Sequence, residues 1–285
     1  MWIILAIGSA VFAGMASVLA KCGLKDMDST VATAYRTFAV MLFICAAAVI
    51  CGSFAGLDSI DDRSWLFLIL SGVTTGASWL CFFKALKLGN VNKVVPVDKT
   101  SNVMAIFLAI IILGEMLSAI GFVGVGLILI GTLLMITKQD IKEVNERTSW
   151  LMFALGSAVF AALTSTLGKI GVEDVDPVLG TAIRTIVVVI MVWAVAFVTK
   201  KKDQMRDLDR KELLITILFG IVRGASWICF FSALQIGPAS IIVPIDKLSI
   251  IVTILFAYLI FKEKLSKKSA IGLVGIVAGT LLLLF

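Results

Sequence analysis

The chain repeats itself without a gap. GSAVFAGMASVLAKCGLKDMD at 8–28 returns as GSAVFAALTSTLGKIGVEDVD at 156–176, and TAYRT at 33–37 as TAIRT at 181–185. GASWLCFFKAL at 76–86 returns as GASWICFFSAL at 224–234, and VPVDKTS at 95–101 as VPIDKLS at 243–249. Every match has the same offset of 148 residues, so the fold must hold two copies of one unit. Ten apolar stretches suit spanning helices, at about 2–21, 31–52, 65–87, 92–113, 118–137, 150–170, 178–199, 212–235, 239–261 and 268–285. Each unit therefore crosses the membrane five times. After an odd number of crossings the second unit starts from the opposite face, so the two must be inverted relative to each other. The expected fold is an all-α integral membrane protein of ten transmembrane helices in two inverted five-helix repeats. Residues 1–137 form the first repeat, 138–149 a linker and 150–285 the second.

Composition supports the bilayer. The chain is 60% hydrophobic and 15% charged, with a mean hydropathy of +1.08, whereas soluble domains run near half apolar and a quarter charged. Helices are the reading for such stretches, because open strands leave backbone groups unsatisfied in lipid. Met1 is followed at once by apolar residues with no basic region, so no cleaved signal peptide is expected.

The net charge of +6 is not a nucleic-acid signal. Of the 25 Lys and Arg, 18 fall in or beside the loops that follow helices 1, 3, 5, 7 and 9, as in KKKDQMRDLDRK at 200–211. By the positive-inside rule these loops are cytoplasmic and both termini lie outside, in a multi-pass protein of a bacterial or archaeal inner membrane.

There is no histidine, no nucleophile motif and no phosphate-cradling glycine loop, which argues against an enzyme and against a metal or other cofactor. Cys22, Cys45, Cys51, Cys81 and Cys229 form no CxxC pair and read as small core residues. Gly124, Gly131, Gly275 and Gly279 thin the last helix of each repeat, as close helix packing requires.

Charges inside spanning helices are costly and mark function. Four positions are charged in both copies: Lys21 with Lys169, Arg36 with Arg184, Asp98 with Asp246, and Lys99 with Lys247. Helix ends gather one such cluster at each face, where Arg36–Asp98 and Arg184–Asp246 pairs are expected. Each cluster reads as half of a gate, with Pro96 and Pro244 loosening the helix where it flexes. The competing reading makes the clusters static ion pairs, with each proline in the first turn of its helix. Arg223 stands apart: it lies near the middle of helix 8, and its mate in the first copy is Thr75. Trp227 shares its face one turn on, and Trp79 is the copy of Trp227. A guanidinium there grips a carboxylate or phosphate at two points, or else pairs internally with Asp98 or Asp246.

The duplicated unit, GE at 114–115, KE at 262–263 and the Gly-rich fifth helices resemble the EamA family of the drug/metabolite transporter superfamily. The GASW…CFF…AL string with VPVDK and GE resembles that family's single-unit members, here fused head to tail. The resemblance implies a ten-helix basket with a central cavity and alternating access for small metabolites or drugs. Such proteins usually keep both termini in the cytoplasm, and here the loop charges argue the reverse.

The expected function is secondary transport of a small polar metabolite, an amino acid or organic acid, because interior cations outnumber Asp98 and Asp246. Those aspartates are the candidates for proton coupling. Within transport the alternative is an exporter of organic cations or drugs; a membrane-embedded enzyme, a channel or a scaffold are the other classes. Partners are the substrate and the bilayer, with a monomer or a homodimer both open.

Overall fold

The computed structural model describes residues 1–22, 29–88, 97, 100–134, 149–199, 208–261 and 267–285. Among these every regular element is helical. The first repeat supplies α1 (Trp2–Cys22), α2 (Ser29–Ile50), α3 (Asp62–Leu88), α4 (Ser101–Leu113) and α5 (Ala119–Leu134), with a 3-10 turn at Ser53–Ser59. The second supplies α6 (Ser149–Gly171), α7 (Pro177–Val198), α8 (Arg210–Ile236), α9 (Ala239–Lys247), α10 (Ser249–Phe261) and α11 (Lys267–Leu282). Seven spans among the described residues are long and apolar enough to cross a membrane. The helices in the fourth, fifth and tenth expected stretches have 13, 16 and 16 residues.

Polar caps start the second repeat's helices where the apolar runs begin. The Asp176 carboxylate accepts from the backbone N–H of Val178 and Leu179, with Pro177 opening the first turn of α7. Asp209 and Glu212 form a reciprocal capping box on α8, at 2.7 and 3.2 Å. The expected ninth helix comes in two pieces. Pro244 lies inside α9, and a single turn residue, Leu248, separates α9 from α10 four residues on. Proline has no N–H to return to the preceding turn, so the helix is loosened within α9, at the Ser240 carbonyl.

The inversion is visible atom by atom. A methyl group added at Gly124 would sit 2.6 Å from the Gly279 carbonyl oxygen, and one at Gly131 would sit 2.5 Å from that of Gly272. Residue numbers rise along α5 as they fall along α11, so the two helices run antiparallel. The offset of 148 carries Gly124 to Gly272 and Gly131 to Gly279, so this contact maps onto itself when the repeats are exchanged. Other contacts exchange in the same way. Ser9 meets Ser226 at 3.4 Å while Ser157 meets Ser78 at 3.2 Å. Gly8 lies against Cys229 and Gly156 against Cys81. The two repeats therefore interleave around a pseudo-two-fold axis: α1 packs on α8 as α3 packs on α6, and α2 faces its own copy α7. Leu68, Phe231, Leu234 and Ile242 fill the largest core cluster, and Ile4, Ile111, Val123, Ile190 and Val274 point outward, as lipid-facing residues do.

The α5–α11 seam has no slack. Gly131→Ala is expected to lower stability by about 1–3 kcal/mol, because a backbone carbonyl stands in the way. Gly126→Ala, where nothing lies within 4 Å of the added methyl, is expected to change stability by less than about 0.5 kcal/mol. Thermal unfolding in detergent checks both; equal midpoints for the two variants would contradict the close packing.

Candidate functional site

Among the described residues, two cavities that share walls lie between the repeats. One of about 340 Å³ is bounded by α1, α2, α3 and α8, with Ser17, Arg36, Phe82 and Phe219 on its walls. The other, about 160 Å³, is bounded by α3, α6, α7, α8 and α9, with Thr75, Thr164, Arg184 and Asp246 on its walls. Trp79, Arg223 and Trp227 line both. The two are copies of each other under the repeat: Ser17 corresponds to Ser165, Arg36 to Arg184, and Phe82 to Phe230. They differ in width, and in what the arginine on each side does.

Arg184 is 2% exposed. Its Nη2 donates to Thr75 Oγ1 at 3.0 Å and its Nε to Ser71 Oγ at 3.4 Å. Its guanidinium lies 4.1 Å from the Phe231 ring centre and 5.3 Å from that of Trp227. Nη1 is buried with no hydrogen-bond partner among the described residues. Arg36, in the wider cavity, donates to the Ala20 carbonyl at 2.7 Å and lies over Phe219. The expected Arg184–Asp246 pair is not formed. Arg184 finds hydroxyls on α3 instead, and Asp246 Oδ1 accepts from Ser9 Oγ at 2.6 Å while Lys247 Nζ stands 3.9 Å from its Oδ2.

Arg223 is the middle residue of the 27 in α8. Its guanidinium lies 5.3 Å from the centre of the Trp227 ring, a cation–π contact. It makes no hydrogen bond and no contact ion pair among the described residues. Its five donors remain open to the junction of the cavities. Thr75, its mate, is buried, lines the narrower cavity, and donates to the Ser71 carbonyl at 2.7 Å. Thr75, Trp79, Arg223 and Trp227 therefore come together at one place. Pro96, Asp98, Lys99 and the side chain of Lys21 lie outside the described residues.

Lys169 takes a different partner from the one its cluster suggested. Its ammonium meets Glu115 Oε1 at 2.8 Å and the Gly237 carbonyl at 2.7 Å. The same carboxylate accepts from the N–H groups of Ala239 and Ser240, at 2.7 and 2.8 Å, and so caps α9. In the sequence Glu115 stands out only as part of GE at 114–115. The available signal was its copy: Glu263 and Lys21 stand at the equivalent positions of the other repeat.

Inverted helical repeats with cavities meeting at an arginine in the middle of a long apolar helix suit a multi-pass membrane transporter. The chain belongs to the EamA-like transporter family, whose model matches twice, over residues 1–137 and 148–285. The uncharacterized transporter in cobO 3'region of a Sinorhizobium species is 42% identical over 134 residues, covering 95% of that protein and 47% of this chain. That relative thus has the length of one repeat. An uncharacterized transporter of Archaeoglobus fulgidus is 24% identical over 99% of this chain and 97% of its own. One solved crystal structure shares the fold with a TM-score of 0.78 at 15% identity, over 99% of this chain and 95% of that one.

Proposed function

We propose that the protein is a secondary transporter that moves a small polar metabolite with an anionic group, such as an amino acid or organic acid, by alternating access. One observation carries this: Arg223 sits at the middle of α8, on the walls of both cavities, with its hydrogen-bond donors unspent among the described residues. An unpaired guanidinium within a bundle is expensive unless a ligand engages it. The cavities are copies of unequal width, as expected of one state in a cycle that exchanges their roles. In this cycle the Lys169–Glu115 tie latches the narrower side, and Asp246, Lys247, Arg184 and the break after Pro244 move with it. Asp246, on the wall of the narrower cavity, and its copy Asp98 are the carboxylates this reading nominates for coupling. The loop charges support a cytoplasmic membrane with both termini outside.

A second reading has one specific support. Asp246, Trp79 and Trp227 lie in one cavity, and a carboxylate with aromatic faces suits an organic cation. Counterflow in proteoliposomes decides between them. The expected result is saturable exchange of labelled carboxylates with no exchange of quaternary amines. Exchange of the amines alone would overturn the anion reading in favour of the second.

A further inference from the structure

The narrower cavity holds more positive charge than a monoanion neutralises. Its described lining carries Arg184, Arg223 and Lys247 against the single carboxylate of Asp246. Lys247 stands beside that carboxylate at 3.9 Å, and Ser9 holds the other carboxylate oxygen. The two guanidinium groups are left over. Both lie 5.3 Å from the centre of the same indole ring, that of Trp227, so they are at most twice that distance apart. Neither has a carboxylate within contact distance among the described residues. Among the described residues Arg184 Nη1 is buried without a hydrogen-bond partner, and Arg223 has spent none of its donors. Charges in a dry interior are held there by a partner; here the one carboxylate, Asp246, acts on Arg223 from beyond contact distance and is shared with Lys247, while the charged group acting on Arg184 is Arg223, a like charge.

We infer that the cavity recognises a doubly charged oxyanion, a dicarboxylate or a phosphate monoester, gripped between Arg184 and Arg223. This rests on the transporter reading above and narrows its substrate class. The repeat's asymmetry gives the ligand an orientation. Thr75 stands where a second Arg223 would be, so the grip exists once, and the anionic head enters the narrower side with Arg184. The rest of the molecule extends past Trp79 and Trp227 into the wider cavity, against Phe82 and Phe219. Guanidinium groups suit this head because each offers two parallel donors to a pair of oxygens.

Counterflow competition in proteoliposomes tests it with compounds matched in skeleton and different in charge. Succinate is compared with its monomethyl ester, and glycerol 3-phosphate is run alongside. The expected half-saturation concentration is at least about tenfold lower for a dianion than for the monoester, since one guanidinium contact is worth roughly that factor. The dianion that competes best names the head group. Its phosphate arm carries its own signature: competition weakens about fourfold between pH 7.5 and 5.5, as the second ionisation near pH 6 is reversed. Arg184→Lys keeps the charge but not the two parallel donors, and is expected to keep the preference at a reduced ratio. Arg184→Gln is expected to lose it, the ratio of monoester to dianion half-saturation falling to about one. Monoanions competing as well as dianions would overturn this inference and leave the anion transporter standing. Exchange confined to organic cations would overturn both.

Discussion

Arg223→Thr is expected to weaken anion transport by about 10- to 100-fold while leaving the protein folded. Threonine is what the other copy carries: Thr75 occupies the equivalent turn of α3, buried, with its hydroxyl returned to the Ser71 carbonyl at 2.7 Å. The backbone therefore accepts this residue at this place. What is lost is a set of charge-assisted hydrogen bonds to the ligand, worth roughly 1.5–3 kcal/mol, which is the stated range in half-saturation. What is relieved is the cost of an unpaired cation at mid-depth, so the unfolding midpoint should hold or rise. Half-saturation for carboxylate counterflow and a thermal melt, measured on one preparation, report the two effects separately. Unchanged transport would show that Arg223 is scaffold.

Glu115→Ala should give the largest loss of stability, about 3 kcal/mol. The carboxylate side chain is 11% exposed and that of Lys169 22%, so removing one leaves the other's charge largely out of water. Two backbone N–H groups at the start of α9 lose their acceptor in the same step. Glu115→Gln keeps an acceptor and should lose less. The pH dependence has a definite sign. Burial pushes the Glu115 carboxyl upward, but the Lys169 ammonium and the hydrogen bonds from Ser240 and Ala239 outweigh it and leave the group below its usual value. A group held lower in the folded state stabilises fully above its unfolded value, near pH 4.3, and loses that contribution as pH falls through the folded one. The gap in melting temperature between the parent and Glu115→Gln should therefore be constant near neutrality and close in acid, below about pH 4. A gap that widened in acid would contradict the ion pair.

The repeat was legible because it is written in identical strings at a constant offset, and the parity of five crossings then requires the inversion that the α5–α11 glycines display. Arg223 was legible because a single charge breaks a symmetric pattern. The partners of the charges were not. Arg184 and Asp246 were expected together as opposite charges at one face, yet Arg184 reaches Ser71 and Thr75 on α3, and Asp246 reaches Ser9 on α1. Those hydroxyls lie 113, 109 and 237 residues away along the chain and read as filler within apolar runs. Glu115 was passed over for the same reason, since Lys169 is 54 residues off and the capped turn more than twice that. Long-range hydroxyl and backbone partners have no periodicity to betray them.

The Thr75–Arg223 mismatch also says what tandem duplication makes possible. Two separate copies of one repeat, meeting head to tail across a bilayer, would present the same residue twice, either two hydroxyls or two guanidinium groups facing each other. A single polypeptide is free of that constraint, because its halves mutate independently. A single chain can therefore carry one arginine where two identical copies would face each other as equals, which is what the proposed orientation of the ligand requires.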